Sequence, residues 1–416
     1  MSKKIITLTN LINEIKIQKY ITIEQFETLK YYSVQPGGFS LKNKKSNENQ
    51  KIIYRALLNM QKKEDINFLK NIKNHPSKII SKNFNDELEN KNHCDEIIAV
   101  NKDIDRNIFY KWKEKNKDID YDLNEFEKEI ENYLRKNKNK YSYYQGYLDF
   151  CVYFYIIFKD KKEKNIEYID IIQFFTELYL KDYISPYKSI GTVEDIVFQN
   201  TLNLLIGIIK ILDFELFQIF DKDKTPLCLI LSWIISLFSH SVNNFYVARR
   251  IFDYLLINDP ICAYLLTAKI IVKSLRKNIK KISEVELEEI FITIKQINLD
   301  ELNFDELIKE CDDFYRNNLN RVFEAQDKNK KEMNLLGDYN YRGIENFIYR
   351  YNDEEIEDRL IEKKSFIVSY KFVFMLFVTW IFVIYFFHKD MIIEKLNNGN
   401  DNNVLENQFT EDDDEI

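Results

Sequence analysis

Between Asp95 and Phe323 apolar side chains return every three or four positions almost without a break. That spacing places them on one face of a helix with 3.6 residues per turn. Two stretches, Tyr147–Phe158 and Leu227–Phe238, are instead apolar nearly all round. Each is too short to cross a bilayer, so both are predicted to be central helices buried on most faces. Thr225-Pro226 offers the second a cap and a proline for its first helical position. Leu202–Phe220 and Arg249–Leu256 are amphipathic and predict companion helices. Residues 1–30 predict one or two further helices, Pro36-Gly37-Gly38 the clearest turn, and Ile52–Met60 a helix after the polar loop Asn43–Asn49. Lys62–Lys91 is polar and patchy and predicts short helices and loops. No repeat of 20 to 50 residues appears, which argues against a helical solenoid.

The pattern changes near residue 326. Residues 327–364 are charged and polar and read as a tether. Phe366–Phe387 then runs for 22 residues with one charge, Lys371. As a helix it would span ~33 Å, about the hydrocarbon thickness of a bilayer. Lys371 lies near one end, where its amine can reach the interface. Arg359, Lys363 and Lys364 precede the run and Glu411–Glu415 closes the chain with acid, so the N-terminal side is expected in the cytosol. A buried core helix is the competing reading. The expectation is a transmembrane helix over 365–388, in a tail-anchored arrangement, followed by an acidic disordered tail over 389–416.

Composition narrows the fold. Only eight glycines and five prolines occur in 416 residues. Sandwiches and barrels need many tight turns that draw on both, whereas long helices do not. The fold class is therefore all-α. A net charge of −7 supplies no basic field, so no nucleic-acid partner is expected. The Lys136–Lys140 run alternates with Asn beside acidic stretches and reads as a solvated loop. Cys94, Cys151, Cys228, Cys262 and Cys311 are scattered and lack a CxxC pair, which indicates neither a disulfide framework nor a zinc site. The four histidines form no metal or hydrolase motif. No metal and no cofactor of the chain's own is expected.

Three elements carry the candidate chemistry. The first is Val100-Asn101-Lys102-Asp103-Ile104-Asp105-Arg106, an aliphatic-x-x-Asp-x-x-Arg pattern. The second is Tyr143-Tyr144-Gln145-Gly146-Tyr147, a Tyr-x-Gln-Gly pattern. The third is Ser232-Trp233 with Phe238, followed by Arg250-Ile251-Phe252-Asp253. Each alone is a modest signal. In this order and spacing they resemble the TBC family of Rab GTPase-activating proteins, over about residues 36–325. The family's Trp-Pro after the glycine turn is missing; Ile52–Leu58 stands there.

The resemblance implies a multi-helix TBC-type domain over 36–326, with 1–35 as an N-terminal helical extension. It also implies that Arg106 enters a partner's active site as an arginine finger and Gln145 as a glutamine finger. A Rab alone neutralises the charge on its phosphoryl oxygens poorly and holds its attacking water loosely. An arginine supplied in trans is worth roughly 10³–10⁵ in rate. Its planar fork can bond two oxygens at once. An amide can orient the water as donor and acceptor together. By the same resemblance Asp103, Tyr143, Tyr144 and Gly146 support the pair, with Gly146 removing a side chain so that a phosphate-rich partner can approach. Trp233, Arg250 and Asp253 are structural, although Arg250 and Asp253, three apart, could also form a surface pair. The partner would be a GTP-loaded Rab with its own Mg-GTP. Ser232–His240 and the apolar C-terminal run are most similar to the endoplasmic-reticulum-anchored subfamily. That implies an endoplasmic reticulum or Golgi location and a Rab of the early secretory pathway. The competing readings are a TBC-fold Rab-binding tether without activity and a helical membrane scaffold.

Overall fold

Helix α7, Tyr147–Phe158, is buried along its whole length, all twelve residues included. Its aromatic rings interdigitate with those of neighbouring helices on several sides. Tyr153 stacks on Phe252 at 3.9 Å between ring centroids, and Phe154 stacks on Phe175 at 5.4 Å. Tyr54 meets Phe175 edge-on at 5.2 Å and shares a 3.2 Å hydroxyl–hydroxyl bond with Tyr153. Such offset and edge-on pairs add to the free energy of burial itself.

The computed structural model describes residues 6–40, 47–60, 99–117, 119, 123–137, 140–159, 167–184, 193–279, 282 and 285–332. The Lys62–Lys91 segment, the remainder of the tether, Phe366–Phe387 and the acidic tail lie outside the described residues. Among the described residues there is no strand, and no helix is long and apolar enough to cross a membrane. Before α7 come α1 (Leu8–Gln18), α2 (Ile23–Val34), α3 (48–60), α4 (99–104), α5 (Ile108–Lys115) and α6 (Leu123–Lys136). After it come α8 (Glu167–Phe175), α9 (Val193–Leu212), α10 (Phe214–Lys222), α11 (Leu231–Ile235) and α12 (Phe245–Leu255). The series ends with α13 (Ile261–Asn278), α14 (Leu287–Lys295) and α15 (Phe304–Glu332). The last of these extends into the stretch read as tether. Helix α8 continues through a π turn, Thr176–Leu180, into Lys181–Ile184.

Two predicted helices are broken in the structure. Leu202–Phe220 is interrupted at Asp213, whose backbone is extended (φ −156°) and whose carboxylate caps α10 through the Leu216 N–H at 3.1 Å. Arg276 from α13 donates to the same carboxylate at 2.5 and 2.7 Å. Leu227–Phe238 is not one helix either. A 3₁₀ stretch, Thr225–Ile230, leads into the single turn α11, and Leu237 and Phe238 then adopt left-handed φ of 49° and 70°. Lys224, not Thr225, occupies the cap position, and it makes no side-chain capping bond. Left-handed backbone costs roughly 1–2 kcal/mol per non-glycine residue. Here it is offset by burial of both side chains and by the stack of Phe238 on Trp233 at 5.9 Å.

The N-terminal helices belong to the same core. Leu11, Ile15, Phe26 and Leu29 are fully buried, and α2 packs on α12 and α15. The turn after α2 uses glycine at φ 81° (Gly37) and 55° (Gly38). Gly37 N–H donates to Asp305 and Phe39 N–H to Asp253, at 3.1 and 3.0 Å. Arg250 donates to Asp305 at 2.6 Å and to the carbonyls of Ser33 and Gln35 at 2.8 and 3.1 Å. The turn is thereby fastened to α12 and α15.

Candidate functional site

Arg106 occupies the two-residue turn between α4 and α5. The turn closes through Asn107 N–H to the Ile104 carbonyl at 3.1 Å, and the buried Asn107 side chain caps α5 by accepting from Phe109 N–H at 2.9 Å. The backbone is pinned while the Arg106 side chain stays 64% exposed. Its Nε and a terminal nitrogen donate to one oxygen of Asp103 at 3.1 and 2.6 Å. The other Asp103 oxygen accepts from the Tyr143 hydroxyl. Burial, and then the Asp103 carboxylate, push that phenol far above its ordinary pKa, so it remains a donor.

One carboxylate thus joins two motifs separated by forty residues of chain. The segment Tyr141–Gln145 is held from several directions. Tyr141 donates to Glu177 in the π turn, and Ser142 N–H donates to the Ile184 carbonyl at 2.7 Å. Half-buried Tyr144 donates to the Ile235 carbonyl at 2.7 Å. Gln145, next along, is exposed. Gly146 caps α7 with φ 97°, a conformation that favours glycine. It is buried beneath Ser236, whose Cβ would lie 3.8 Å from an added Cβ. Gly146 supplies the backbone turn that leads from Gln145 into α7.

Trp233 is buried against Phe238. Arg250 and Asp253 are also buried and do not form the surface pair that their spacing allowed; both serve the glycine turn described above. Asp253 additionally accepts from the Gln50 amide at 2.9 Å. Burial pushes its carboxyl up to about 6, against the lowering effects of Arg249, the Gln50 and Phe39 hydrogen bonds and Arg250. Among the described residues no group of His, Cys, Asp or Glu could hold a metal.

Two residues beside the motifs were not singled out as site residues by sequence reasoning. Asp149, 5% exposed, accepts from Ile108 N–H at 2.9 Å with one oxygen and contacts His240 Nδ1 at 2.5 Å with the other. The Asp149 hydrogen bond raises the His240 pKa against the opposing effect of burial. The available signal was a single carboxylate inside the most apolar helix of the chain.

Residues 48–280 match the family model for the Rab-GTPase-TBC domain, more than half of the 416-residue chain. The chain belongs to the Rab-GTPase-TBC domain family. All three motifs lie within the match, as do Asp149 and His240. TBC domains act as GTPase activators on Rab partners, and that is the general function of this one. No curated protein matches the chain. Helices α1, α2, α14 and α15 lie outside the matched residues, yet each contributes side chains to the core of this TBC domain.

Proposed function

We propose that the TBC domain accelerates GTP hydrolysis by inserting Arg106 and Gln145 into the active site of a GTP-loaded Rab. The observation that carries this reading is the Asp103 carboxylate, which bonds Arg106 on one side and Tyr143 on the other. It ties the Arg106 turn to the Tyr143–Gly146 segment that carries the exposed Gln145, which supports a shared role for the two side chains. In the free protein Arg106 folds back onto Asp103. An exposed ion pair of this kind is worth only about 0–1 kcal/mol. An arginine finger lowers the barrier by about 4–7 kcal/mol. Releasing Arg106 toward the phosphates therefore costs little beside what it returns. Gln145 then orients the attacking water through its amide, and the Mg-GTP belongs to the partner, so the chain requires no cofactor of its own.

The apolar run Phe366–Phe387 would fix the domain on the cytosolic face of the endoplasmic reticulum or Golgi membrane, with an early secretory Rab as partner. The test is phosphate release from a panel of GTP-loaded Rabs. The intact chain is expected to accelerate one or two of them. Arg106→Ala is expected to lose about 10³-fold or more of that acceleration while still binding the loaded Rab. Undiminished activity in Arg106→Ala would sink the finger assignment. Binding without acceleration by the intact chain would point to a tether. Deleting 365–388 is expected to release the protein from membranes, as fractionation would record.

A further inference from the structure

We propose that Asp149 and His240 are positioning residues that aim the finger pair, an inference that rests on the Rab-activating reading above. Asp149 stands four residues after Gln145, and the N–H it accepts belongs to Ile108, two residues after Arg106. That N–H is at the start of α5, where a helix has no internal acceptor to offer it. A carboxylate from α7 therefore fixes the backbone leaving the Arg106 turn.

The second Asp149 oxygen holds His240 Nδ1 at 2.5 Å. His240 is pinned in turn, its backbone N–H donating to Ser236 Oγ at 3.2 Å, and Ser236 stands where a Cβ on Gly146 would reach it at 3.8 Å. These bonds lead from the Arg106 turn through Asp149 and His240 to Ser236, which stands over the Gly146 turn beside Gln145. The left-handed backbone at Leu237 and Phe238 brings His240 into this ring. Asp149 from α7, Asp103 from α4 and Lys111 from α5 act electrostatically on the imidazole, the two carboxylates raising its pKa and the lysine lowering it.

The bond from Ile108 N–H gives Asp149 a structural role, but stability alone gives little reason for its second contact, to a half-exposed imidazole. Replacing a buried ionic contact by apolar packing is often neutral or stabilising. Asp149 is nonetheless buried in α7, whose other eleven residues are uncharged, and the imidazole it holds stays 42% exposed. Rigid aim has a use here, because displacement of a catalytic group by about 1 Å can cost 10²-fold in rate.

Asp149→Ala would strip Ile108 N–H and the imidazole together and could unfold the domain, so the test rests on His240. His240→Ala removes the bond to Asp149. His240→Asn places an amide N–H where Nδ1 stood and restores it. Single-turnover GTP hydrolysis by the panel Rabs is measured with the full chain, as wild type, Arg106→Ala, His240→Ala and His240→Asn. Expected for His240→Ala is a loss of about 10- to 100-fold in the maximal rate. Half-saturation and binding of the GTP-loaded Rab should be unchanged, and His240→Asn should recover most of the rate. A wild-type maximal rate in His240→Ala, on a Rab that Arg106→Ala cannot serve, would overturn the positioning role and leave the finger reading standing. So would a loss that His240→Asn does not restore, or one accompanied by an equal loss of Rab binding. A wild-type chain that accelerates no Rab would overturn both readings.

Discussion

At the scale of single residues, the buried charges define the constraints. A Cβ on Gly38 would sit 2.7 Å from an Asp253 oxygen, and its φ of 55° is unfavourable for any side chain. Gly38→Ala is expected to cost roughly 2–4 kcal/mol, from backbone strain and a disturbed carboxylate, read by urea unfolding. Asp253 makes a pH signature. Unfolded, its carboxyl titrates near 3.8; folded, it does so at about 6. Between these values the folded state binds more protons, so this group's contribution falls as pH rises from about 4 to 6 and is constant above. The unfolding free energy of the wild type minus that of Asp253→Asn should follow this course, and a flat difference would contradict it. His240 has the opposite partner chemistry. Its folded pKa is raised above 6.5, so its favourable contribution is complete below 6.5 and is lost as pH climbs through the folded value. The stability advantage of wild type over His240→Asn should therefore shrink on the alkaline side of 6.5.

At the scale of elements, the breaks matter as much as the helices. Asp213 ends one helix and caps the next, and Asp213→Ala is expected to cost about 1–2 kcal/mol, mostly through the lost cap. The exposed Arg276 partner adds little by itself and retains Glu215. Raising the salt concentration should consequently leave that difference nearly unchanged. The α11 segment shows how a uniformly apolar stretch can end early. When every face of a segment is apolar, periodicity does not specify whether the backbone continues as a helix or unwinds. Trp233, Phe238 and Ser236 settle the matter by where they are buried. Helix α11 ends at Ile235, whose carbonyl accepts from Tyr144, and the unwound residues after it carry His240 to Asp149.

At the scale of the whole molecule, the matched family region is smaller than the folding unit. Starting the chain at residue 48 would delete α1, α2 and the glycine turn. Arg250 would lose its acceptors at Ser33 and Gln35, and Asp253 its donor at Phe39. Leaving a buried charge without its partners costs about 3–5 kcal/mol, against a typical total stability of 5–15 kcal/mol. Such a fragment is expected to show no cooperative thermal transition, whereas the full chain shows one. A fragment melting at the temperature of the full chain would refute this.

The sequence by itself determined the helical class, the burial of Tyr147–Phe158, the glycine turn and the three motifs. These are local properties, set by spacing, turn chemistry and residue type within a few positions. Arg106 and Asp103 were legible together because three residues along the chain is also a short distance in space. The bond between Asp103 and Tyr143 spans forty residues, and the ring through Asp149, His240 and Ser236 draws on two separated segments. Only the tertiary structure decided those, because a hydrogen bond across the core depends on how helices cross. The same reason made Arg250 and Asp253 fasteners of the N-terminal turn rather than partners of each other. Their spacing permitted a pair, and the packing of α2 and α15 onto α12 supplied each with better-placed partners.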